Sequence, residues 1–327
     1  MDITAARQVA FNNRFLELII FITEQCNFRC KYCYEDFTLG RMSPDVILGI
    51  KNLILNRAKN GELDILKISW FGGEPLIAKH LIYDLSDFIK NTVNTYNIQY
   101  YGTMTTNAYL LTPPVMQTLG DFGITSFQVS LDGVKAEHDK TRVRIDGKGT
   151  FDKIWQNLID LSKTNLDFEI VLRVHVHIDN YDNIRQLLNS IAKNFSGDKR
   201  FQVFIKGIFG WQGAGEQVKR LVAKQGFYKK IADLKLEVAQ SITLYKDNQS
   251  RTMCYAAMGN SLAIRANGQI AKCTVALNDE RNNIGKINID GTLDINNFKA
   301  NKWINGLLIN DPDGIRCPMQ RMNDYYE

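Results

Sequence analysis

The sequence predicts an α/β fold, a partial (β/α)6 barrel followed by a small α+β region. Two observations carry the barrel. Short apolar, β-rich runs alternate with longer stretches of helical periodicity from residue 16 to residue 206, the pattern of βα units on a parallel sheet. Six such units suit an open barrel with its functional groups at the C-terminal ends of the strands. A third observation separates the last part of the chain: after a long helical stretch, the pattern changes to short hairpin-like pieces.

The elements follow in order. Strands are expected at 16–22, 65–70, 98–103, 126–130, 169–175 and 202–206. The first is the longest apolar run in the chain, interrupted only by Glu17. Helices are expected between them at 45–57, 79–92, 114–119, 151–162 and 184–193, where apolar residues recur at helical spacing. A polar-apolar pattern over about 216–245 leads out of the barrel as a further helix. Residues 260–265 and 270–273 then read as a hairpin joined at Asn267-Gly268. The domain reading is an N-terminal extension at 1–15, a core at 16–210, a helical linker at 211–250 and a C-terminal domain at 251–327.

Composition narrows the function. The 327 residues are 45% hydrophobic and 23% charged, enough to bury a large core. No apolar run reaches the roughly 18 residues of a membrane span, and residues 1–15 lack the apolar centre of a signal peptide. A cytoplasmic location is the expectation. The net charge of +5 is dispersed along the chain, which reads as a solvated surface and argues against nucleic-acid binding. The six cysteines fall in two groups, three near the start and three near the end. In a reducing compartment such clusters point to metal.

The first group reads Cys26-Asn-Phe-Arg-Cys30-Lys-Tyr-Cys33, directly after the first strand. Three thiolates at this spacing can wrap one corner of an iron-sulfur cubane and leave the fourth iron without a protein ligand. S-adenosylmethionine (SAM) can chelate that iron through its amino and carboxylate groups, which sets its sulfonium beside the cluster for one-electron cleavage. The competing reading is zinc, which usually takes four protein ligands from paired C-x-x-C motifs. Later strand ends add Phe71-Gly72-Gly73-Glu74-Pro75, Thr105-Thr106-Asn107 and Ser130-Leu131-Asp132-Gly133. Each alone is ordinary turn chemistry; in this order they would line one rim.

With these motifs the chain resembles the radical SAM superfamily over nearly its whole length. The resemblance implies a 4Fe-4S cluster on Cys26, Cys30 and Cys33 and a barrel of the radical SAM type. It also implies SAM contacts. Tyr32 would pack on the adenine, Gly73 would meet the amino group, and Ser130 with Arg142 would hold the carboxylate. Arg144 competes with Arg142, Val203 would touch adenine from the sixth strand, and Glu74, Asn107 and Asp132 complete the expected SAM-binding set. On the fifth strand Arg173, His175 and His177 alternate, so they share one face. That face is either the substrate cavity or a satisfied polar cluster.

The C-terminal group resembles the auxiliary-cluster domains called SPASM and twitch. Cys254, thirteen residues, Gly268, four residues and Cys273 match their entry pattern. Thr274-Val275 and the stretch from Asn283 to Lys286 resemble maturases of ribosomally made peptides. A full SPASM domain has seven cysteines, whereas Gln320 stands where a partner of Cys317 would be. The resemblance therefore implies a truncated, twitch-like domain with one auxiliary 4Fe-4S cluster on Cys254, Cys273 and Cys317. Ordinary buried thiols are the alternative.

The function implied is oxidative crosslinking of a ribosomally synthesised peptide, begun by hydrogen abstraction with the 5'-deoxyadenosyl radical. Dehydrogenation of a small alcohol or amino sugar and peptide epimerisation are the alternatives. Expected partners are the peptide, a separate leader-binding protein and a reductant such as flavodoxin or ferredoxin. No nucleic acid or membrane partner is expected, and no general base is assigned.

Overall fold

The computed structural model describes residues 3–177, 179–207, 227–245 and 253–322. In chain order these form α1 (Ile3–Ala10), β1 (Phe15–Thr23), α2 (Pro44–Lys59), β2 (Ile65–Gly72), α3 (Lys79–Thr95), β3 (Gln99–Thr106), α4 (Pro113–Asp121), β4 (Ile124–Leu131), α5 (Lys135–Thr141), α6 (Phe151–Ser162), β5 (Glu169–Val176), α7 (Ile184–Phe195), β6 (Phe201–Gly207) and α8 (Phe227–Val238). There follow β7 (Ser261–Ile264), β8 (Gln269–Ala271), β9 (Asn283–Ile287), β10 (Leu293–Ile295), α9 (Asn297–Leu308), α10 (Pro312–Arg316) and α11 (Pro318–Arg321). The fold is α/β, and all six expected barrel strands are present with ends shifted by at most three residues. The five expected barrel helices are present as α2, α3, α4, α6 and α7. Part of the expected linker is α8; residues 208–226 and 246–252 lie outside the described residues.

The chain groups into two compact units, one of residues 1–25, 37–103 and 247–327, the other of residues 26–36 and 104–246. In the first, β1 pairs in parallel with β2 on one side and with β7 on the other. It is therefore central and buried on both faces, which explains its apolar pattern on both faces, broken only at Glu17. Glu17 survives inside it because Ser261 Oγ donates to its carboxylate at 2.7 Å and Lys67 Nζ lies 2.8 Å away. From β7 to β10 the strands pair antiparallel, with Ala263 opposite Ala271 and Ile264 opposite Ile270 across the expected hairpin. The sheet is thus mixed. Ser43 caps α2 by accepting the Val46 amide, with Pro44 in the first turn.

In the second unit β4, β5 and β6 run parallel, with Ser130 beside Arg173 and Arg173 beside Phe204. The pleat gives this sheet two unlike faces. Phe127, Val129, Leu131, Ile170, Leu172, Val174, Val203 and Ile205 form the apolar face, each at most 2% exposed. Burying each such side chain contributes about 1.5–3 kcal/mol. The opposite face carries Gln128, Ser130, Arg173, His175, Phe204 and Lys206, so polar groups are held against a rigid sheet.

Candidate active site

The cysteine loop is laced to one segment of the same unit. The amides of Arg29 and Lys31 donate to the carbonyls of Val143 and Thr141 at 2.7 and 2.9 Å, and the Ile145 amide donates to Asn27 O at 3.0 Å. Within the loop the Phe28 amide lies 3.3 Å from Cys26 Sγ, and Cys33 N–H donates to Cys30 O. Asn107 Nδ2 lies 3.9 Å from the same sulfur and donates to Asn27 Oδ1 at 2.8 Å. Amides aimed at a sulfur suit a thiolate. Burial pushes the bare Cys30 thiol up, against the pull of Arg142, so bound iron would have to stabilise its anionic form. Among the described residues no three His, Cys, Asp or Glu side chains converge as a single-ion site, an arrangement a cubane does not need because each cysteine takes a different iron.

Next to the loop Asp132 is the hub of a buried network. Its Oδ1 accepts from Tyr32 Oη at 2.8 Å and lies 3.1 Å from His175 Nδ1, while Thr141 Oγ1 donates to Oδ2 at 2.5 Å. Arg142 Nη1 donates to Tyr32 Oη at 2.8 Å. Burial alone would raise the Asp132 carboxyl, but the His175 hydrogen bond and the His175, Arg142 and His138 charges outweigh it and hold it below the usual carboxylate range. Burial pushes His175 down to about 4 despite Asp132, with Arg173 adding to the shift. At neutral pH the imidazole is therefore uncharged, its Nδ1 proton committed to Asp132. His138 is fixed in the other tautomer: the Asp132 amide donates to its Nδ1 at 3.4 Å, and its Nε2 reaches Thr150 Oγ1 at 3.1 Å.

The expected SAM contacts divide by their present bonding. Arg144 is engaged, with Nη1 on Tyr109 Oη at 2.9 Å and Nη2 on Asp146 at 2.9 Å. Arg142 keeps a buried Nε that has no hydrogen-bond partner, as does Arg173. Val203 puts its side chain on the apolar face, and its backbone pairs with Thr243 O and the Tyr245 amide, each at 2.8 Å. Its neighbour Phe204 takes the polar face, a consequence of strand phase. The shared face of Arg173 and His175 is that polar face beside Tyr32 and Asp132. His177 is buried beyond the strand end, with its amide donating to Asn180 Oδ1 and its Nδ1 without a partner.

Gly72 and Gly73 belong to the first unit, and the close approach they permit is to the chain itself. A Cβ on Gly73 would lie 2.3 Å from Gln25 O, and one on Gly72, at φ +117°, would lie 2.1 Å from Thr23 O. Glu74 is fully buried and accepts the Leu76 amide at 3.0 Å, capping a short 3-10 turn. In the same unit Cys254, Cys273 and Cys317 lie within one another's electrostatic reach. Burial pushes the Cys254 thiol up to about 12. Sequence reasoning missed Asn282, whose Oδ1 accepts the Cys273 amide at 2.8 Å and whose Nδ2 donates to Cys273 O at 2.8 Å. It named Arg142, Arg144 and Asp132 only as SAM contacts, and missed that residues 141–145 lace the cysteine loop and that Asp132 is a hydrogen-bond hub joining residues far apart in sequence.

The model of the Radical SAM superfamily matches residues 20–191, more than half of the chain. The chain belongs to this superfamily, whose members use SAM and a 4Fe-4S cluster. Among curated relatives, the GTP 3',8-cyclase of Shewanella denitrificans is 28% identical over 279 residues, covering 80% of this chain and 78% of the relative. That of Sulfurovum sp. is 36% identical over 120 residues, 37% of this chain and 35% of the relative. The matched part thus spans about a third of that cyclase, and 64% of the one from Aliarcobacter butzleri. Among solved structures, anSMEcpe with bound AdoMet has a TM-score of 0.66 at 18% identity over 88% of this chain and 80% of its own. Streptococcus suis SuiB bound to the precursor peptide SuiA has a TM-score of 0.53 at 18% identity, over 86% of this chain and 63% of its own. These likenesses establish the TIM-like barrel fold.

They also correct the functional expectation. Oxidative crosslinking of a ribosomally made peptide, with its dehydrogenase and epimerase alternatives, gives way because the sequence relatives are named GTP 3',8-cyclase. The expectation of a peptide had rested on SPASM-like cysteine spacing, and cysteine spacing bears on metal binding rather than on the substrate. Among the described residues no helix is long and apolar enough to cross a membrane.

Proposed function

We propose that this chain cleaves SAM reductively at a 4Fe-4S cluster on Cys26, Cys30 and Cys33 and passes the radical to a carbon of a purine nucleoside triphosphate. The observation that carries the first part is the cysteine loop, with the Phe28 amide aimed at Cys26 Sγ and Arg142 beside Cys30. When bound, the cluster supplies one electron to the sulfonium, which yields methionine and the 5'-deoxyadenosyl radical that removes a substrate hydrogen. The protein's part is orientation. Tyr32 is clamped between Asp132 and Arg142, which fixes its ring for the adenine. Ser130 and the unpaired Nε of Arg142 are available to the SAM carboxylate.

The nucleotide follows from the activity named for the sequence relatives. Cys254, Cys273 and Cys317 would hold an auxiliary 4Fe-4S cluster in a C-terminal domain at 251–327, after a core at 16–210 and a linker at 211–250. The test is anaerobic reconstitution, reduction with dithionite and addition of SAM, with 5'-deoxyadenosine measured by chromatography. It should form, and GTP should increase it and yield a modified nucleotide by mass spectrometry. No 5'-deoxyadenosine would refute the radical reading. Its formation without any response to GTP would refute the nucleotide, and a peptide serves as the control substrate.

A further inference from the structure

We infer that a cavity in the first unit, between its sheet and the helices α2 and α9, is a binding site for a medium-chain aliphatic carboxylate anchored by Arg57. The inference goes beyond the nucleotide reading and is independent of it. The cavity has a volume of about 290 Å³, and every residue lining it belongs to that unit. Its wall is built from Leu16 on β1, Leu53 on α2, Leu262 on β7, Ile284 on β9 and Ile304 on α9. The first four are at most 8% exposed, whereas Arg57, Ala300 and Ile304 are half-buried and stand at its mouth. Leu16 is the second residue of β1, so the cavity lies toward the strand ends opposite to Gly72 and Gly73. In a barrel of this kind the reacting ligands meet the other, C-terminal ends. Gaps larger than a water molecule are few in a packed interior. An apolar cavity of about 150 Å³ takes up benzene, so this one has room for about twelve non-hydrogen atoms.

Charge and shape narrow the occupant. Among the described residues two basic side chains line the cavity, Arg57 and Lys272, and no acidic one does. Arg57 Nη2 donates to Asn13 O and to Glu62 O, the latter at 3.3 Å, while its Nε and Nη1 have no partner among the described residues. Glu62 thus meets it through the backbone, and no ion pair forms. Burial lowers the Arg57 guanidinium, yet it keeps its charge at any ordinary pH. Lys272 is buried, and its Nζ donates to the carbonyls of Met258 and Ser261, the latter at 2.6 Å. Burial pushes it down to about 7, and the carboxylate whose charge reaches it, Glu17, is already engaged by Lys67 and Ser261. The permanent charge of the cavity therefore resides on Arg57. A carboxylate on the open edge of that guanidinium would use its empty donors, and an alkyl chain laid against the leucines and isoleucines would leave water. No aromatic ring lines the cavity, which favours a flexible chain over a flat ring that would need a stacking partner.

The probe is octanoate, titrated by calorimetry into full-length reconstituted protein below its micellar concentration, with 1-octanol as the neutral counterpart. One octanoate should bind per chain, and 1-octanol at least about tenfold more weakly because it gives Arg57 no charge to pair. Arg57→Met should weaken octanoate at least about tenfold. Ala300→Phe puts a ring into the mouth without touching a charge and should weaken it as much. No octanoate binding, equal binding of the alcohol, or undiminished affinity in either variant would overturn the inference. Should Arg57→Met not fold, Ala300→Phe and the comparison of acid with alcohol decide, the first testing the cavity and the second the charge.

Discussion

His138 makes the folded protein sensitive to mild acid, and the size of the effect can be worked out. Its Nδ1 accepts the Asp132 amide at 3.4 Å and its Nε2 faces Thr150 Oγ1 at 3.1 Å, in a side chain with no exposure. Protonating Nδ1 would set two N–H groups against each other. Burial first, then the Arg142 and His175 charges, push the group down to about 4, outweighing the attraction of Asp132. A folded pKa below the unfolded value of about 6.5 means that the unfolded chain binds the extra proton first. Stability is therefore complete above the unfolded pKa and declines as pH falls from about 6.5 toward 4. Between about pH 7.5 and pH 5 the difference amounts to about 2 kcal/mol for this residue. Asn at this position offers Oδ1 to the Asp132 amide and cannot titrate. Urea unfolding of wild type and His138→Asn at both pH values should show the wild type losing about 2 kcal/mol more than the variant. Equal losses in the two proteins would refute the assignment.

Further outcomes follow from the same geometry. Replacing Cys26, Cys30 and Cys33 together by Ala should abolish 5'-deoxyadenosine formation and remove about half of the roughly eight irons of the reconstituted protein. Cleavage that survives would sink the first-loop cluster. Cys317→Ala should leave about four irons per chain by colorimetric assay if it ligates the auxiliary cluster, and a full complement would exclude it. Gly291 sits at φ +87°, where a Cβ would lie 2.3 Å from Leu53 N. Gly291→Ala should cost about 1–3 kcal/mol in chemical denaturation, and an unshifted midpoint would contradict the packing of α2 on this turn. Trp303 is fully buried and donates to Arg281 O at 3.1 Å, so Trp303→Ala should cost about 3–5 kcal/mol by the same measurement.

The local periodicities of the chain determined its barrel strands and helices, because the alternation in β4 to β6 and the helical spacing of α6 and α7 are set by which faces are buried. The spacing of Cys26, Cys30 and Cys33 was enough to propose cluster chemistry, since candidate ligands within one loop need no distant partner. The short helix α5 escaped notice because it is polar and only seven residues long. Glu17 could be read only as an interruption until β7 brought Ser261 beside it. The Asp132 hub gathers Tyr32, His138 and Thr141 of α5, and His175 from three separate segments, and the polar face around Arg173 needs β4 and β6 on either side of β5. Val203 shows the same limit at the scale of one residue: its place in β6 was legible, but which face it took depended on the register with β5. Periodicity is carried by neighbours in sequence, whereas strand register and buried hydrogen bonds join residues that only tertiary packing brings together, and the chemistry of this site depends on the second kind.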